Sequence, residues 1–211
     1  MNIQESGSVP QRFFTSDTHF GHARIIELCD RPFKSVEHMD ETLINNWNET
    51  VSPGDIVYHL GDVALGSWDR WDGILSRLNG HKILVVGNHD RIFAGASERH
   101  RERFTPIYEQ WFVDICDFDT LTFRSDGVAG WDTQLTALSH FPYDGDSHGE
   151  ERYREFRPKD EGFPLIHGHT HGRDQKATVS QAGTPMFHVG VDAHDYRPVH
   201  ESEILEWLHS I

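Results

Sequence analysis

The chain is short of cysteine, of positive charge and of long apolar runs, and each shortage closes off a class of protein. Cys29 and Cys116 are its two cysteines in 211 residues. They show no metal-type pairing, so no disulfide framework is implied. Lys and Arg number 19 against 34 Asp and Glu, a formal net charge of −15. That balance argues against general nucleic-acid binding, which rests on neutralising phosphates with cations. No stretch approaches the roughly 20 apolar residues of a membrane-spanning helix. The polar opening from Met1 to Gln11 lacks the apolar centre of a secretory signal. The expected setting is the reducing cytoplasm, without membrane attachment. Internal repeats and low-complexity tracts are also missing.

Histidine, by contrast, is abundant, with sixteen copies. Apolar residues make up 36%, including thirteen Phe and six Trp, enough for one sizeable core, so residues 1–211 read as a single domain. Many of the histidines stand where an apolar strand stops. Ile83-Leu84-Val85-Val86 is a branched apolar run that reads as a buried strand, and it ends in Gly87-Asn88-His89-Asp90. The same grammar recurs four times. Arg12-Phe13-Phe14 leads to Asp17-Thr18-His19, and Ile56-Val57-Tyr58 leads to Gly61-Asp62. Leu135 to Leu138 leads to Ser139-His140, and Pro164-Leu165-Ile166 leads to Gly168-His169-Thr170-His171. Open α/β sheets place their sites at the carboxyl ends of strands, so five such ends point to one site assembled from five loops.

Between these ends the chain alternates. A loose leader over 1–11 precedes a strand at Arg12–Ser16 and a helix over Ala23–Cys29, broken by Arg31-Pro32-Phe33. Ser35 caps a longer helix whose Met39, Leu43, Ile44 and Trp47 share one face. Ser67 is the expected cap of the next helix, with Trp68, Trp71, Leu75 and Leu78 at helical spacing and Asn79-Gly80 as its end. The first half therefore predicts βαβ units. The second half is richer in strands: stretches within Phe112–Arg124, a turn at Ser125-Asp126-Gly127, then Thr133–Ser139 and Pro185–Val191. A short amphipathic helix over Glu201–His209 closes the chain. The segment 144–162 is dense in charge and reads as a surface loop or lid.

Side chains at i and i+2 of an extended segment point the same way, so Asp17/His19 and His169/His171 can each form a two-pronged claw. Either pair alone, or Gly61-Asp62 alone, is ordinary. All five motifs in order are not. The series D-x-H, G-D, G-N-H-D, H and G-H-x-H resembles the calcineurin-like metallophosphoesterase superfamily, over Asp17 to His171. Asp17-Thr18-His19-Phe20-Gly21-His22, Arg31-Pro32-Phe33 and Gly190-Val191-Asp192 are similar to its small bacterial and phage branch.

The resemblance implies an α/β, four-layer αββα sandwich, with two mixed β-sheets face to face and flanked by helices. It implies two divalent ions, Mn, Fe or Zn with Mn favoured, about 3.5–4 Å apart. Asp17, His19 and His171 would hold one ion and Asn88, His140 and His169 the other, with Asp62 bridging. Two such ions, two carboxylates and one hydroxide sum to about +1, which would draw a phosphate to an otherwise acidic protein. A metal-bridging hydroxide would attack, His89 would give a proton to the leaving oxygen and Asp90 would fix the His89 tautomer. The Asp-Arg-Gly element of protein serine/threonine phosphatases is missing, since the chain reads Asp62-Val63-Ala64-Leu65-Gly66.

His22, Arg24, Tyr143 and Arg173 are candidate substrate contacts, and Asp192, His194 and Tyr196 could close the site. His59, His167 and His188 read as core or supporting histidines. The resulting expectation is a phosphodiesterase or phosphomonoesterase for a small nucleotide-type substrate, a cyclic nucleotide among the candidates. The alternatives are a metal-dependent nuclease or end-processing enzyme and, more remotely, a scaffold of the same fold without catalysis. The oligomeric state is not legible.

Overall fold

The computed structural model describes residues 9–125, 132–146 and 152–211, with Trp68 and Asp69 described by their backbone only. Two five-stranded sheets carry the fold. In the first, β1 (Arg12–Thr15), β2 (Ile56–His59), β3 (His81–Val85) and β4 (Asp114–Cys116) run parallel, and β10 (Val199–His200) lies antiparallel against β1. In the second the order is β5 (Asp119–Arg124), β6 (Thr133–Ser139), β7 (Leu165–His167), β9 (Pro185–His188), β8 (Ala177–Val179). Here β6, β7 and β9 are parallel and the two edges antiparallel. Both sheets are therefore mixed, as expected.

Alternation along β1 builds two layers at once. Phe13 faces the helices, whereas Phe14 faces the other sheet, stacked on Tyr58 with ring centroids 5.4 Å apart and 6.0 Å from Phe123 of β5. Phe14, Leu60, Val85, Leu138 and Ile166 are fully buried between the sheets. Outside the first sheet lie α1 (Ala23–Leu28), α2 (Val36–Thr50), α3 (Trp68–Leu75) and α4 (Glu98–Tyr108), whose buried faces join the sheet and its loops in the helix-side core. The closing helix α5 (Glu201–His209) turns Ile204, Trp207 and Leu208 into the layer between the sheets.

α2 follows its sequence closely. Ser35 is extended and its side chain accepts from the His38 amide, and Met39, Leu43, Ile44 and Trp47 are the buried face. Ser67 does not repeat the device: its side chain makes no capping bond, and α3 stops at Leu75, before Asn79-Gly80. α4 has no counterpart in the sequence reading. It is polar and mostly charged over its first six residues, carries Pro106 and buries only Phe104 and Tyr108. The expected turn at 126–127 lies outside the described residues, as do positions 1–8 of the expected leader. Gln11 is not loose, since its amide donates to Asp55 Oδ1 at 2.9 Å. Among the described residues, no helix is long and apolar enough to cross a membrane.

Candidate metal centre

Every motif singled out in the sequence follows a strand that runs parallel to at least one neighbour, so the five loops emerge at carboxyl edges of the two facing sheets. Backbone hydrogen bonds then lock the loops to one another. The amides of Asp17 and His19 donate to Gly61 O and Asp62 O, both at 3.0 Å, and Gly168 N donates to His140 O at 3.0 Å. The His169 amide reaches across the sheets to Asp17 Oδ2 at 2.9 Å. Asp17, His19, Asp62, His169 and His171 all hold positive φ, between 50° and 71°, a region in which non-glycine residues cluster at functional sites. Gly87 is required by packing. A β-carbon there would collide with the Asp62 carboxylate and amide.

The result is a convergence of donor atoms. Asp17, His19 and His171 present ligand atoms within 4.8 Å of one another, and so do Asp17, Asp62 and His140. His19 Nε2 and His140 Nε2 each lie 3.6 Å from Asp62 Oδ2, and His171 Nε2 is 3.7 Å from Asp17 Oδ1. Asn88 Oδ1 is 3.1 Å from His140 Nε2, and the His140 and His169 rings are 5.2 Å apart. All seven proposed ligands thus lie around one cluster.

Its hydrogen bonding fits cations. Asp17 Oδ1 and both ring nitrogens of His19 are buried with no hydrogen-bond partner, an expensive arrangement unless an ion completes it. His140 Nδ1 sits 2.7 Å from Leu60 O, so Nδ1 carries the proton and Nε2 turns a lone pair toward the Asn88 oxygen. Two acceptors facing each other at that distance call for a positive charge between them. His171 Nδ1 lies 2.9 Å from Asp192 Oδ2, which leaves Nε2 free to ligate in the carboxylate–histidine–metal manner. Asp192 is itself clamped by Arg31 through two 2.8 Å bonds, while the same guanidinium donates to the carbonyls of Asp17 and Thr18 at 2.7 and 3.0 Å.

Electrostatics agree. Burial drives His19 well below the usual imidazole range and His169 down to about 3, so both rings are neutral, the form a metal needs. Burial would raise the Asp17 carboxyl, but His171, His140 and His19 pull it below the usual carboxylate range. Asp62 goes the other way, pushed up by burial and then by Asp17 and Asp90. Two buried carboxylates this close resist ionising together, and bound cations remove that conflict.

The smaller roles divide. His89 lines a 370 Å³ cleft together with His19, His22, Asp62, Asn88, His169 and His171, and its amide donates to Asp62 Oδ1 at 2.8 Å. The expectation for Asp90 needs correction. Its carboxylate accepts from the amides of Asp62, Val63 and Gly87 at 2.9, 3.1 and 2.8 Å. It ties two ligand loops together rather than steadying the His89 ring. Burial pushes Asp90 up to about 6 against those three bonds.

Of the candidate substrate contacts, His22 lines the cleft. Arg24 is exposed on α1 and outside the lining. Arg173 donates to the carbonyls of Cys29 and Asp30. Tyr143 packs with Ala137, Leu165 and Met186 and donates to Phe163 O at 3.0 Å. Arg152, which sequence reasoning missed, is the one Lys or Arg lining the cleft among the described residues. It comes from the 144–162 segment, where dense charge hid it.

Comparison with known proteins agrees with this geometry. The sequence profile of the calcineurin-like phosphoesterase family matches residues 13–173. The Gene 66 protein of Mycobacterium phage D29 is 37% identical over 198 residues, covering 90% of this chain and 92% of that one. The Gene 66 protein of Mycobacterium phage L5 is 34% identical over 204 residues, 94% of each. Among solved structures, the protein of unknown function AQ665 from Aquifex aeolicus is similar, with a TM-score of 0.65 and 28% identity over 94% of this chain and 100% of that one.

Proposed function

The chain belongs to the calcineurin-like phosphoesterase family, and we propose that this metal-dependent phosphoric ester hydrolase acts on phosphodiester or phosphomonoester bonds of a small nucleotide-type substrate in the cytoplasm. The carrying observation is a set of buried polar atoms that lack partners, Asp17 Oδ1 and both His19 ring nitrogens, beside His140 Nε2 facing Asn88 Oδ1 acceptor to acceptor. Asp17, His19 and His171 are assigned to one divalent ion, Asn88, His140 and His169 to a second, and Asp62 to both. A nitrogen and oxygen donor set without thiolate suits Mn²⁺, Fe or Zn²⁺, and Mn²⁺ is the favoured choice.

Held by these residues, two divalent ions would supply an activated water at neutral pH and would offset charge on the phosphoryl oxygens. The protein's own part is to position and to move a proton. His89 is held at the cleft by its amide bond to Asp62, and its ring is assigned to protonate the leaving oxygen. Arg152 and His22 supply polar contacts to the ester. A 370 Å³ cleft is the size of a small-molecule site, and the net charge of −15 disfavours long polyanions.

Hydrolysis of bis-p-nitrophenyl phosphate by the Mn²⁺-loaded chain tests the reading. Asp62→Ala and Asn88→Ala should each lower kcat/KM at least about a hundredfold; activity that survives both substitutions would sink the assignment. Mononucleotides, cyclic nucleotides and single-stranded oligonucleotides assayed in parallel test the substrate class. Preferential cleavage of the oligonucleotide would replace it with a nuclease.

A further inference from the structure

Three of the histidines assigned to metals share a feature. Each has one ring nitrogen against an oxygen acceptor, which leaves the other for a metal; in His140 and His171 that other nitrogen faces the carboxylates of the cluster. For His140 that acceptor is Leu60 O at 2.7 Å, and for His171 it is Asp192 Oδ2 at 2.9 Å. For His169 it is Asp146 Oδ2, 3.2 Å from Nε2. Asp146 belongs to no motif. It lies in the charged 144–162 segment, and its side chain is nevertheless 0% exposed.

Its carboxylate is held in place from several directions. Arg152 donates from its backbone amide to Oδ2 at 3.1 Å and from Nη2 to Oδ1 at 2.8 Å, and Arg157 Nη2 donates to Oδ2 at 3.2 Å. Arg157, its side chain 5% exposed, also donates to Pro142 O at 3.1 Å and Gly145 O at 2.8 Å, so it is tied to the residues just before Asp146. A carboxylate that needed only arginine partners could remain at the surface, where Arg152 is 40% exposed. This one is drawn inward to an imidazole. Because a carboxylate accepts, His169 Nε2 carries the proton and Nδ1 keeps its lone pair. An oxygen anion behind a ligating histidine fixes its tautomer and orientation and raises its basicity.

We propose that Asp146 is a positioning residue for the second metal ion, acting through His169, so that Asp146 and the two arginines that hold it, Arg152 and Arg157, support the metal site. The inference rests on His169 being a ligand, as proposed above. Arg152 ties that support to the substrate cleft, since the same side chain lines the cleft and holds Asp146.

Titration of the metal-free full chain with Mn²⁺, followed by calorimetry and by the spin-coupled signal of a filled two-ion centre, tests the proposal without an activity assay. Asp146→Asn keeps an oxygen acceptor, and Asp146→Leu fills similar space without one. Asp146→Leu should weaken the second Mn²⁺ by about 10–100-fold and leave the first intact, while Asp146→Asn stays within about threefold of the parent. Should Asp146→Leu not fold, Asp146→Ser is read in its place, its hydroxyl being too short to reach the ring. Equal loss in the Asn and Leu variants, or a second ion bound by Asp146→Leu as by the parent, would overturn the proposal. So would equal weakening of both ions. His169→Ala separates the two levels. Two ions bound normally by that variant refute His169 as a ligand and the inference with it. Loss in His169→Ala with none in Asp146→Leu refutes the inference alone.

Discussion

Asp17, His19, Asp62, His169 and His171 sit at left-handed φ, a conformation that costs an L-residue roughly 1–2 kcal/mol. Interloop hydrogen bonds hold them there, and the arrangement aims several side chains inward from very short loops. The motifs were readable because each needed a particular side chain at a particular strand end. The supports were not. Asp192 was legible as a residue that could close the site, but its pairing with His171, 21 residues away, was not, and Asp146 is 23 residues from His169, so no spacing rule links either to its imidazole. Asp90 was legible as a polar neighbour of His89, yet its three amide partners belong to the loops after β2 and β3. Neighbouring residues of one motif can be told apart by experiment. Asn88→Ala should lose the second metal, whereas His89→Ala should keep both metals by elemental analysis and lose turnover at least about a hundredfold. Metal loss in His89→Ala would contradict the division of roles.

At the scale of elements, legibility followed amphipathicity. α2 has its cap and its face in plain sight, and Ser35→Ala should cost about 1 kcal/mol of stability without changing kcat. Phe14→Ala, by contrast, removes a ring buried between the sheets and should cost about 3–5 kcal/mol. Denaturant unfolding of the two variants checks both figures, and equal losses would contradict the layer assignment. α4 escaped because a helix that lies on a core formed by others needs few apolar residues: Phe104 and Tyr108 suffice. Tyr108 is 2% exposed, and its hydroxyl accepts from the Arg91 amide at 2.9 Å. β8 and β10 escaped because they are short edge strands whose partners lie elsewhere in the chain.

For the whole molecule, acidity and buried histidine set the response to pH. His59 is enclosed, with Nε2 2.9 Å from the Thr18 hydroxyl, and burial takes its pKa down to about 3. Unfolded, it titrates near 6.5. The folded state therefore binds fewer protons below that value, and the stability tied to neutral His59 is complete above pH 6.5 and lost as pH falls toward 3. At pH 5 the loss is about 2 kcal/mol. Asp62 and Asp90, shifted up in the metal-free chain, oppose the trend, so the difference between variants is the quantity to read. With EDTA present, the deficit in melting temperature of His59→Gln against the parent should shrink by about 5 °C from pH 7 to pH 5. A constant deficit would show that His59 protonates freely in the fold. The first sheet contributes Asp17, His19, Asp62 and Asn88, the second His140, His169 and His171, and each close ligand group draws on both. On the proposed assignment, neither half of the chain carries a complete coordination shell. Metal capture would then wait until the halves have docked, and a loaded ion would certify finished folding: a nascent or split chain is expected to stay empty.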